Sequence, residues 1–218
     1  MNFEDPVIFD IETPGGQISQ IAALCPASGD RFEVKVHIKH LLVPPSLLTM
    51  CHYDHAVWER EAVSAKVARK RWIMFLERHR SIYRVVKETR NRLRLAAGMG
   101  YNAQRFDHPM LKEWLDKRHL VMPMDNRIYD VLQLALWCLP SLENYQLGTV
   151  ASALGVGRAR AHDAMVDVEM TTDVAAILLH RVGCRIRWVA ERFGDDVLCA
   201  CDKLHSPHDA REKHPWVT

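Results

Sequence analysis

Residues 160–180 read Arg-Ala-His-Asp-Ala-Met-Val-Asp-Val-Glu-Met-Thr-Thr-Asp-Val-Ala-Ala-Ile-Leu-Leu-His. Asp163 is a typical helix N-cap, because its short acceptor satisfies the free N–H groups of a first turn. The apolar residues that follow recur at three- and four-residue steps, which predicts an amphipathic helix. His162 then lies just before the helix, and Asp167 lies on its early turns. By itself this pattern is typical of any capped helix, so its meaning depends on acids elsewhere in the chain.

Two such acids lie near the start of the chain, where residues 6–13 read Pro-Val-Ile-Phe-Asp-Ile-Glu-Thr. The run is apolar and rich in β-branched residues, which predicts a strand. Side chains alternate between the faces of a strand, so Asp10 and Glu12 point the same way. Two neighbouring carboxylates on a buried strand repel each other and are costly to desolvate. A bound metal cation would relieve both problems.

A further acid, Asp107, ends the stretch Tyr-Asn-Ala-Gln-Arg-Phe-Asp at residues 101–107. Pro109 follows two residues later, as expected in the first turn of a helix. The pattern therefore places Asp107 at a helix start, and we expect Phe106 to pack in the core.

The three motifs resemble, in their order and separations, the DEDDh subgroup of the DnaQ-like 3′–5′ exonucleases; the matching residues are Asp10, Glu12, Asp107, His162 and Asp167. The resemblance spans about residues 5–182. Residues 100–107 and 161–168 are also similar in sequence to the corresponding motifs of the bacterial exonuclease I family, whose members degrade single-stranded DNA. The resemblance implies an α/β fold of the RNase H-like type, in which helices flank a mixed sheet whose first three strands are antiparallel.

The same resemblance implies a metal-dependent hydrolase with two Mg²⁺ or Mn²⁺ ions as cofactors. Their ligands would be Asp10, Glu12, Asp107 and Asp167, and His162 would be the general base. The resemblance further implies that Thr13, Pro14 and Gly15 approach the terminal nucleotide. Asn102 would position the second motif or the substrate.

The chain has 218 residues, of which 48% are hydrophobic, enough for one domain with a sizeable core. We assign residues 1–182 to the exonuclease domain and 183–218 to a C-terminal extension, where Cys199, Cys201, His205 and His208 lie in a spacing that matches no usual zinc finger. No apolar run reaches the ~20 residues of a membrane span, and no signal segment opens the chain. Six cysteines without framework-like spacing favour reduced thiols and a cytoplasmic location.

The segment 58–94 carries twelve Lys or Arg against four Glu, whereas the whole chain has a net charge of only +2. Its apolar residues follow helical spacing, which predicts a long basic helix that is partly an insertion. A charge run of this kind is commonly a solvated helix face. We expect it instead to contact nucleic acid, with Arg69, Lys70 and Arg71 bound to phosphates, because the nucleic-acid backbone must be held where it can reach the acids.

The leading hypothesis is a 3′–5′ exonuclease that acts on single-stranded DNA. The residues of the second and third motifs favour DNA over RNA as the substrate. Alternatives with the same fold are an exoribonuclease, a degrader of short oligonucleotides, or a proofreading subunit held by a polymerase. A catalytically dead nucleic-acid-binding module is disfavoured, because all five catalytic positions hold the required residue types. A replication or repair protein is a possible partner, and no membrane association is expected.

Overall fold

The computed structural model describes residues 5–85, 92–157 and 162–182 of the chain. The strands within these residues are β1 Pro6–Glu12, β2 Gln20–Cys25, β3 Asp30–Lys35, β4 Arg80–Val85, β5 Arg92–Gly100 and β6 Met124–Asp130. The helices are α1 Pro45–Met50, α2 His55–Glu61, α3 Ala65–Arg78, α4 Asp107–Asp116, α5 Val131–Cys138, α6 Leu147–Ala153 and α7 Ala164–Arg181. Short 3₁₀ turns occur at Pro14–Gly16 and His40–Leu42.

The strands form one mixed sheet in the order β3-β2-β1-β5-β4, with β6 also paired to β5. Strands β1, β2 and β3 are antiparallel neighbours, as the sequence predicted. Strand β5 runs parallel to β1 and β6, and β4 pairs with it in the antiparallel sense. The predicted RNase H-like arrangement of a mixed sheet between helices is therefore confirmed.

The side chains of β1 alternate between two cores on opposite faces of the sheet. Ile8 packs with residues of α5, α6 and α7. Val7, Phe9 and Ile11 pack with residues of α3 and α4. Because a strand has a period of two residues, Asp10 and Glu12 share the face of Ile8 and point toward α7.

The prediction of one long helix over 58–94 is wrong. Asp54 caps α2 and Ser64 caps α3. The residues between the end of α2 and the start of α3 are not helical. Helix α3 ends at Arg78, and the chain then forms the antiparallel pair β4 and β5. Residues 86–91 lie outside the described residues. The described part of the basic stretch is thus two helices followed by two strands.

The predicted cap at Asp163 is confirmed, and other helix ends are capped in the same local way. Asp163 accepts a hydrogen bond from the N–H of Met165 at the start of α7, and Asp130 accepts one from Leu132 at the start of α5. Gly155 has a φ of 73° just after α6, which is the left-handed conformation expected for a glycine at a helix end. The described helices include none whose length and apolar content suit a membrane crossing. The extension 183–218, with its Cys and His residues, lies outside the described residues.

Candidate active site

The edge of the sheet where β1 ends brings the first and second motifs together. Asp107 begins α4, and its Oδ1 accepts a hydrogen bond of 3.2 Å from the backbone N–H of Ile11. Ile11 lies between Asp10 and Glu12 in β1, so this bond fixes Asp107 beside both acids. Asp107 and Glu12 are 4% and 7% exposed.

A close approach of two backbones makes this arrangement possible. A Cβ at Gly100, the last residue of β5, would lie 2.5 Å from the Cβ of Ala103 and 2.9 Å from the carbonyl oxygen of Phe9. Only glycine therefore lets the turn that precedes α4 pack against β1. The second residue of that turn, Asn102, has a φ of 58°.

Asp130 holds the same turn from the other side. Besides capping α5, its carboxylate accepts hydrogen bonds from the backbone N–H groups of Asn102 at 2.8 Å and Gln104 at 3.3 Å. The sequence analysis did not identify this second role, since nothing in the sequence pairs residue 130 with 102.

The start of α7 supplies the third motif. Glu12, His162 and Asp167 each offer one ligand atom to a cluster in which all three atoms lie within 4.8 Å of one another. His162 is exposed and has a φ of 67°, and its backbone N–H donates to Asp167 Oδ2 at 3.1 Å. The amide oxygen of Gln20, which pairs with Glu12 across β1 and β2, lies 3.5 Å from the N–H of Ala164. This contact ties the helix start to the sheet. Residues 158–161, which precede His162, lie outside the described residues.

The four acids interact electrostatically. Burial raises the pKa of Asp10 well above its ordinary value, and the charges of Asp107, Glu12 and Asp167 raise it further. Burial is also the main reason that the pKa of Asp107 rises to about 7, although the Ile11 N–H opposes the rise. Burial likewise raises the pKa of Glu12 and of Asp167. The site therefore brings together four carboxyl groups, and burial makes the ionisation of each one energetically unfavourable.

This donor set fits hard divalent cations. Oxygen ligands from carboxylates suit Mg²⁺ and Mn²⁺, and a cation would lower the raised pKa values of the acids. Asp10, Glu12, Asp107 and Asp167 are the residues that would hold such ions. The nitrogen of His162 lies at the open side of the cluster.

Cys51 is a neighbour of the site that the sequence analysis did not identify. It follows α1, is 3% exposed, and lowers the pKa of the Glu12 carboxyl against the larger effect of burial. Burial and the Glu12 charge raise the pKa of this thiol to about 12. Residues 41–57 gave no periodic signal, so no sequence pattern connected Cys51 to Glu12.

The predicted substrate-binding residues divide into two groups. Thr13, Pro14 and Gly15 directly follow Glu12, and Asn102 lies in the turn before α4, so these four lie beside the acids. Arg69, Lys70 and Arg71 belong to α3, whose buried residues pack on the opposite face of the sheet from Asp10 and Glu12.

The prediction that Arg69 contacts phosphate is wrong. Its side chain is buried, its Nε donates to the Trp114 carbonyl at 2.9 Å, and its guanidinium carbon lies 4.2 Å from the Trp114 ring centroid. Lys70 and Arg71 are exposed.

Phe106 also differs from the sequence analysis, which placed it in the core. Its ring is 46% exposed at the start of α4, next to Asp107. Two leucines on the 3₁₀ turn His40–Leu42 are exposed as well, Leu41 by 88% and Leu42 by 73%. The next residue, Val43, is buried against the turn that holds Gly15. Apolar side chains thus remain open to solvent near the acids.

Comparison with known proteins adds two findings. The sequence matches the RNase T exonuclease family over residues 69–175. No curated protein sequence matches the chain significantly.

Solved structures of exonuclease I share the fold. E. coli exonuclease I in complex with a dA16 oligonucleotide superposes with a TM-score of 0.63 and 19% identity, over 87% of this chain and 43% of that one. The zinc-bound form of the E. coli exonuclease I–single-stranded DNA complex superposes with a TM-score of 0.64 and 18% identity, over 87% of this chain and 43% of that one. A moderately thermophilic exonuclease I from Methylocaldum szegediense superposes with a TM-score of 0.59 and 16% identity, over 88% of this chain and 43% of that one.

The chain thus spans less than half the length of these structures, and at these identities they show a common fold. The family match covers Asp107 and Asp167, and the fold brings Asp10 and Glu12 to the same place. Residues 69–175 of the chain therefore match an exonuclease family, and the described residues share the fold of the solved exonuclease I structures.

Proposed function

We propose that the protein is a metal-dependent 3′–5′ exonuclease that releases nucleoside 5′-monophosphates from single-stranded DNA. The observation that carries the proposal is the convergence of four buried or half-buried carboxylates and His162 at one edge of the sheet. Burial alone disfavours such a group of acids, so a binding role accounts best for its presence.

Two divalent ions held by Asp10, Glu12, Asp107 and Asp167 would activate a water and stabilise charge on the leaving oxygen. His162 would accept the proton of the attacking water, because it is exposed at the mouth of the cluster and is held there by its N–H bond to Asp167. The Ile11 N–H keeps Asp107 in place. Thr13, directly after Glu12, would contact the terminal 3′-hydroxyl.

Exposed apolar groups beside the acids suit the bases of a single strand. Phe106 offers an aromatic face, and Leu41 and Leu42 offer an apolar surface directly before Val43, which lies against Gly15. Stacking and apolar contact accept every base, which fits an exonuclease that removes nucleotides without regard to sequence. Asn102 would position this part of the substrate. The E. coli exonuclease I structures bound to dA16 and dT13 support single-stranded DNA as the substrate class.

A cavity of about 370 Å³ gives the strand a path away from the site. Its lining includes Gly16 from the turn after Glu12, Trp114 from α4, and Ala65 from the start of α3. Lys70 and Arg71 are exposed one to two turns further along α3. We propose that they contact phosphates of the strand where it leaves this cavity.

We further propose residues 1–182 as the catalytic domain and 183–218 as an extension. One solved exonuclease I structure is a complex with SSB-Ct. A replication or repair protein is accordingly the kind of partner that we propose for this chain, and a reduced, cytoplasmic protein is the form that we propose for it.

The test is digestion of 5′- and 3′-end-labelled oligonucleotides of single-stranded DNA, double-stranded DNA and RNA, with Mg²⁺, Mn²⁺ or EDTA. We expect the 3′ label to leave first, as a mononucleotide, from single-stranded DNA with metal present. A 3′-phosphate end should be degraded poorly, because the terminal hydroxyl would lie against Thr13 and Glu12. Asp10→Ala is the inactive control.

Full turnover in EDTA, or a fully active Asp10→Ala protein, would refute the proposal. Release of the 5′ label first would refute the polarity. Faster degradation of RNA, or of chains of only a few nucleotides, would instead support the exoribonuclease or oligonucleotide-degrading alternative.

A further inference from the structure

We propose that Trp114 forms a stacking site for one nucleobase of the single strand, and that Arg69 is a positioning residue that holds the indole ring for this role. The site is the cavity of about 370 Å³ between α4, the start of α3 and the turn after Glu12. The inference rests on the proposed function, because it takes the cavity to be occupied by the strand whose 3′ end lies at the acids. It assigns a base contact to the cavity and a role to a buried arginine.

Arg69 contacts both the backbone and the ring of Trp114. Its Nε donates to the Trp114 carbonyl at 2.9 Å, and its guanidinium carbon lies 4.2 Å from the ring centroid. A cation at this distance over an aromatic face attracts the ring, and the attraction is stronger where water is excluded. Arg69 is only 9% exposed. The indole is therefore held in one orientation before any ligand binds.

The cavity lies on the other side of the indole. Trp114 is half-buried and lines the cavity, whereas Arg69 does not line it. The guanidinium and the cavity consequently contact different sides of the ring, so the bound arginine leaves the cavity side accessible. Met110, one turn earlier on α4, adds an apolar contact to the same lining. An aromatic ring of this kind suits a nucleobase, since every base has a flat π face.

The lining of the cavity suits a base better than a phosphate. Its lysine, Lys117, is already paired with Glu113 at 2.7 Å, so the two charges largely cancel. The amide oxygen of Gln17 accepts a hydrogen bond from the N–H of Lys39 at 2.9 Å. Several other lining residues are apolar, namely Ile18, Val36, Ile38 and Ala65. A volume near 370 Å³ is at the small end of ligand sites, which fits one base and its sugar.

Helix α4 connects the acids to this cavity. Asp107 is its first residue and Trp114 lies seven residues later, which is two turns, so the two residues share a face of the helix. They are separated by about 10 Å along the axis, at a rise of 1.5 Å per residue. Stacked nucleotides of one strand are spaced by about 3.4 Å. We therefore expect the base on Trp114 to be about the third from the 3′ end.

The experiment uses the full chain with Trp114→Ala, Trp114→Phe or Arg69→Met. Trp137→Ala is the matched control for the ring, since Trp137 is 45% exposed on α5, which packs on the other face of the sheet. Arg78→Met is the control for the charge, because it makes the same change as Arg69→Met at the end of α3. Thermal unfolding of each variant reports on the fold.

The position of the base is measured by photo-cross-linking in EDTA. A single-stranded DNA of about 12 nucleotides carries 5-iodouracil at the first, third or tenth position from the 3′ end, and mass spectrometry identifies the modified peptide. Its Kd is measured under the same conditions. KM and kcat are then measured with Mn²⁺ for this DNA and for a dinucleotide, which is too short to reach from the acids to the cavity.

We expect the third position to cross-link to Trp114 and the tenth position not to. Trp114→Ala should raise Kd and KM for the long DNA about tenfold, the usual effect of losing one stacked base, while kcat and the kinetics of the dinucleotide stay unchanged. Trp114→Phe should restore most of the affinity. Arg69→Met should weaken binding of the long DNA in the same direction, whereas Arg78→Met and Trp137→Ala should follow wild type.

Three results would overturn the inference. The first is cross-linking of the third position only to residues outside the cavity lining, and the second is an unchanged Kd in Trp114→Ala. The third is an equal loss with the dinucleotide and the long DNA together with a lowered unfolding temperature, because Trp114 would then act through the fold. If Arg69→Met binds as Arg78→Met does, the positioning role of Arg69 is overturned.

The two proposals fail in different ways. If the wild-type protein releases no nucleotide from either substrate, the exonuclease function fails, while cross-linking and Kd in EDTA still test the base site. If the wild-type protein is active and Trp114→Ala matches it with both substrates, the function stands and the base site fails.

Discussion

In their ionised form, the carboxyl groups that meet at the end of β1 oppose folding when no cation is present. Burial raises the pKa values of Asp10, Glu12, Asp107 and Asp167, so each of these groups holds its proton more tightly in the folded chain than in the unfolded chain. Such a group stabilises the fold below its unfolded pKa, and this contribution is lost as the pH rises through the folded pKa. A bound cation would reverse the effect by favouring the ionised form.

The pH dependence of stability tests this balance at Asp107, whose pKa rises from an ordinary 3.8 to about 7. In EDTA, the free energy of unfolding should fall between these two pH values, by at most about 1.4 kcal/mol per pH unit for this group. Asp107→Asn should remove that part of the slope and the enzymatic activity. Urea unfolding at a series of pH values measures it.

The exposed Asp116, on the same helix, provides the control, since Asp116→Asn should follow wild type. Adding Mn²⁺ near pH 7 should raise the stability of wild type and leave Asp107→Asn with a smaller gain. An Asp107→Asn protein with the wild-type slope would contradict the assignment of that slope to this residue.

At the scale of elements, local sequence signals predicted most of what positions the site. Period-two alternation predicted β1 and the shared face of Asp10 and Glu12, and the side chain of Asp163 predicted the start of α7. The prediction of one helix over 58–94 was wrong because the helical spacing was extended across the boundary between α2 and α3. Ser64, a typical N-cap before Ala65, marks that boundary, and pairing with β5 decides the strand that follows Arg78. Such pairing is a long-range effect that propensity alone does not predict.

The turn before α7 yields a prediction that separates stability from catalysis. His162 has a φ of 67°, which costs about 1–2 kcal/mol for a residue other than glycine. His162→Gly should therefore be more stable than His162→Ala by about 1 kcal/mol, while its backbone N–H still bonds to Asp167. Both variants lack the proposed base, so both should lose about 10²- to 10⁴-fold in single-turnover rate.

The measurements are urea unfolding and single-turnover degradation on saturating single-stranded DNA. Binding of the oligonucleotide should be nearly unchanged in both variants. Equal unfolding free energies would mean that the left-handed turn is not maintained in solution. Full turnover in either variant would exclude His162 as the base.

For the whole molecule, the sheet separates the acids from the basic helix. Asp10 and Glu12 share the face of α7, whereas α3 packs on the opposite face. The sequence showed that both charge groups exist, but not which face each takes, because that depends on the order of the strands. The start of α3 shares a cavity with the turn after Glu12, since Ala65 and Gly16 both line it.

This geometry gives the basic residues of α3 different distances from the proposed strand path. Lys70 lies about 8 Å along the helix axis from Ala65, and Arg78 lies about 20 Å from it, at a rise of 1.5 Å per residue. Lys70→Glu should weaken the binding of single-stranded DNA and reduce its salt slope by about 0.7, the value for one lost phosphate contact. Arg78→Glu makes the same change in net charge at the far end of the same helix.

Binding across a salt series therefore distinguishes a local phosphate contact from a general effect of charge. If Lys70 contacts the strand, the slope changes only in Lys70→Glu, and single-turnover chemistry on saturating substrate persists in both variants. Equal shifts in both variants would mean that α3 acts only through the net charge of the protein. If neither slope changes, α3 is a solvated helix on the far side of the sheet. The phosphates would then be bound by groups on the α7 face, where Asp10 and Glu12 point.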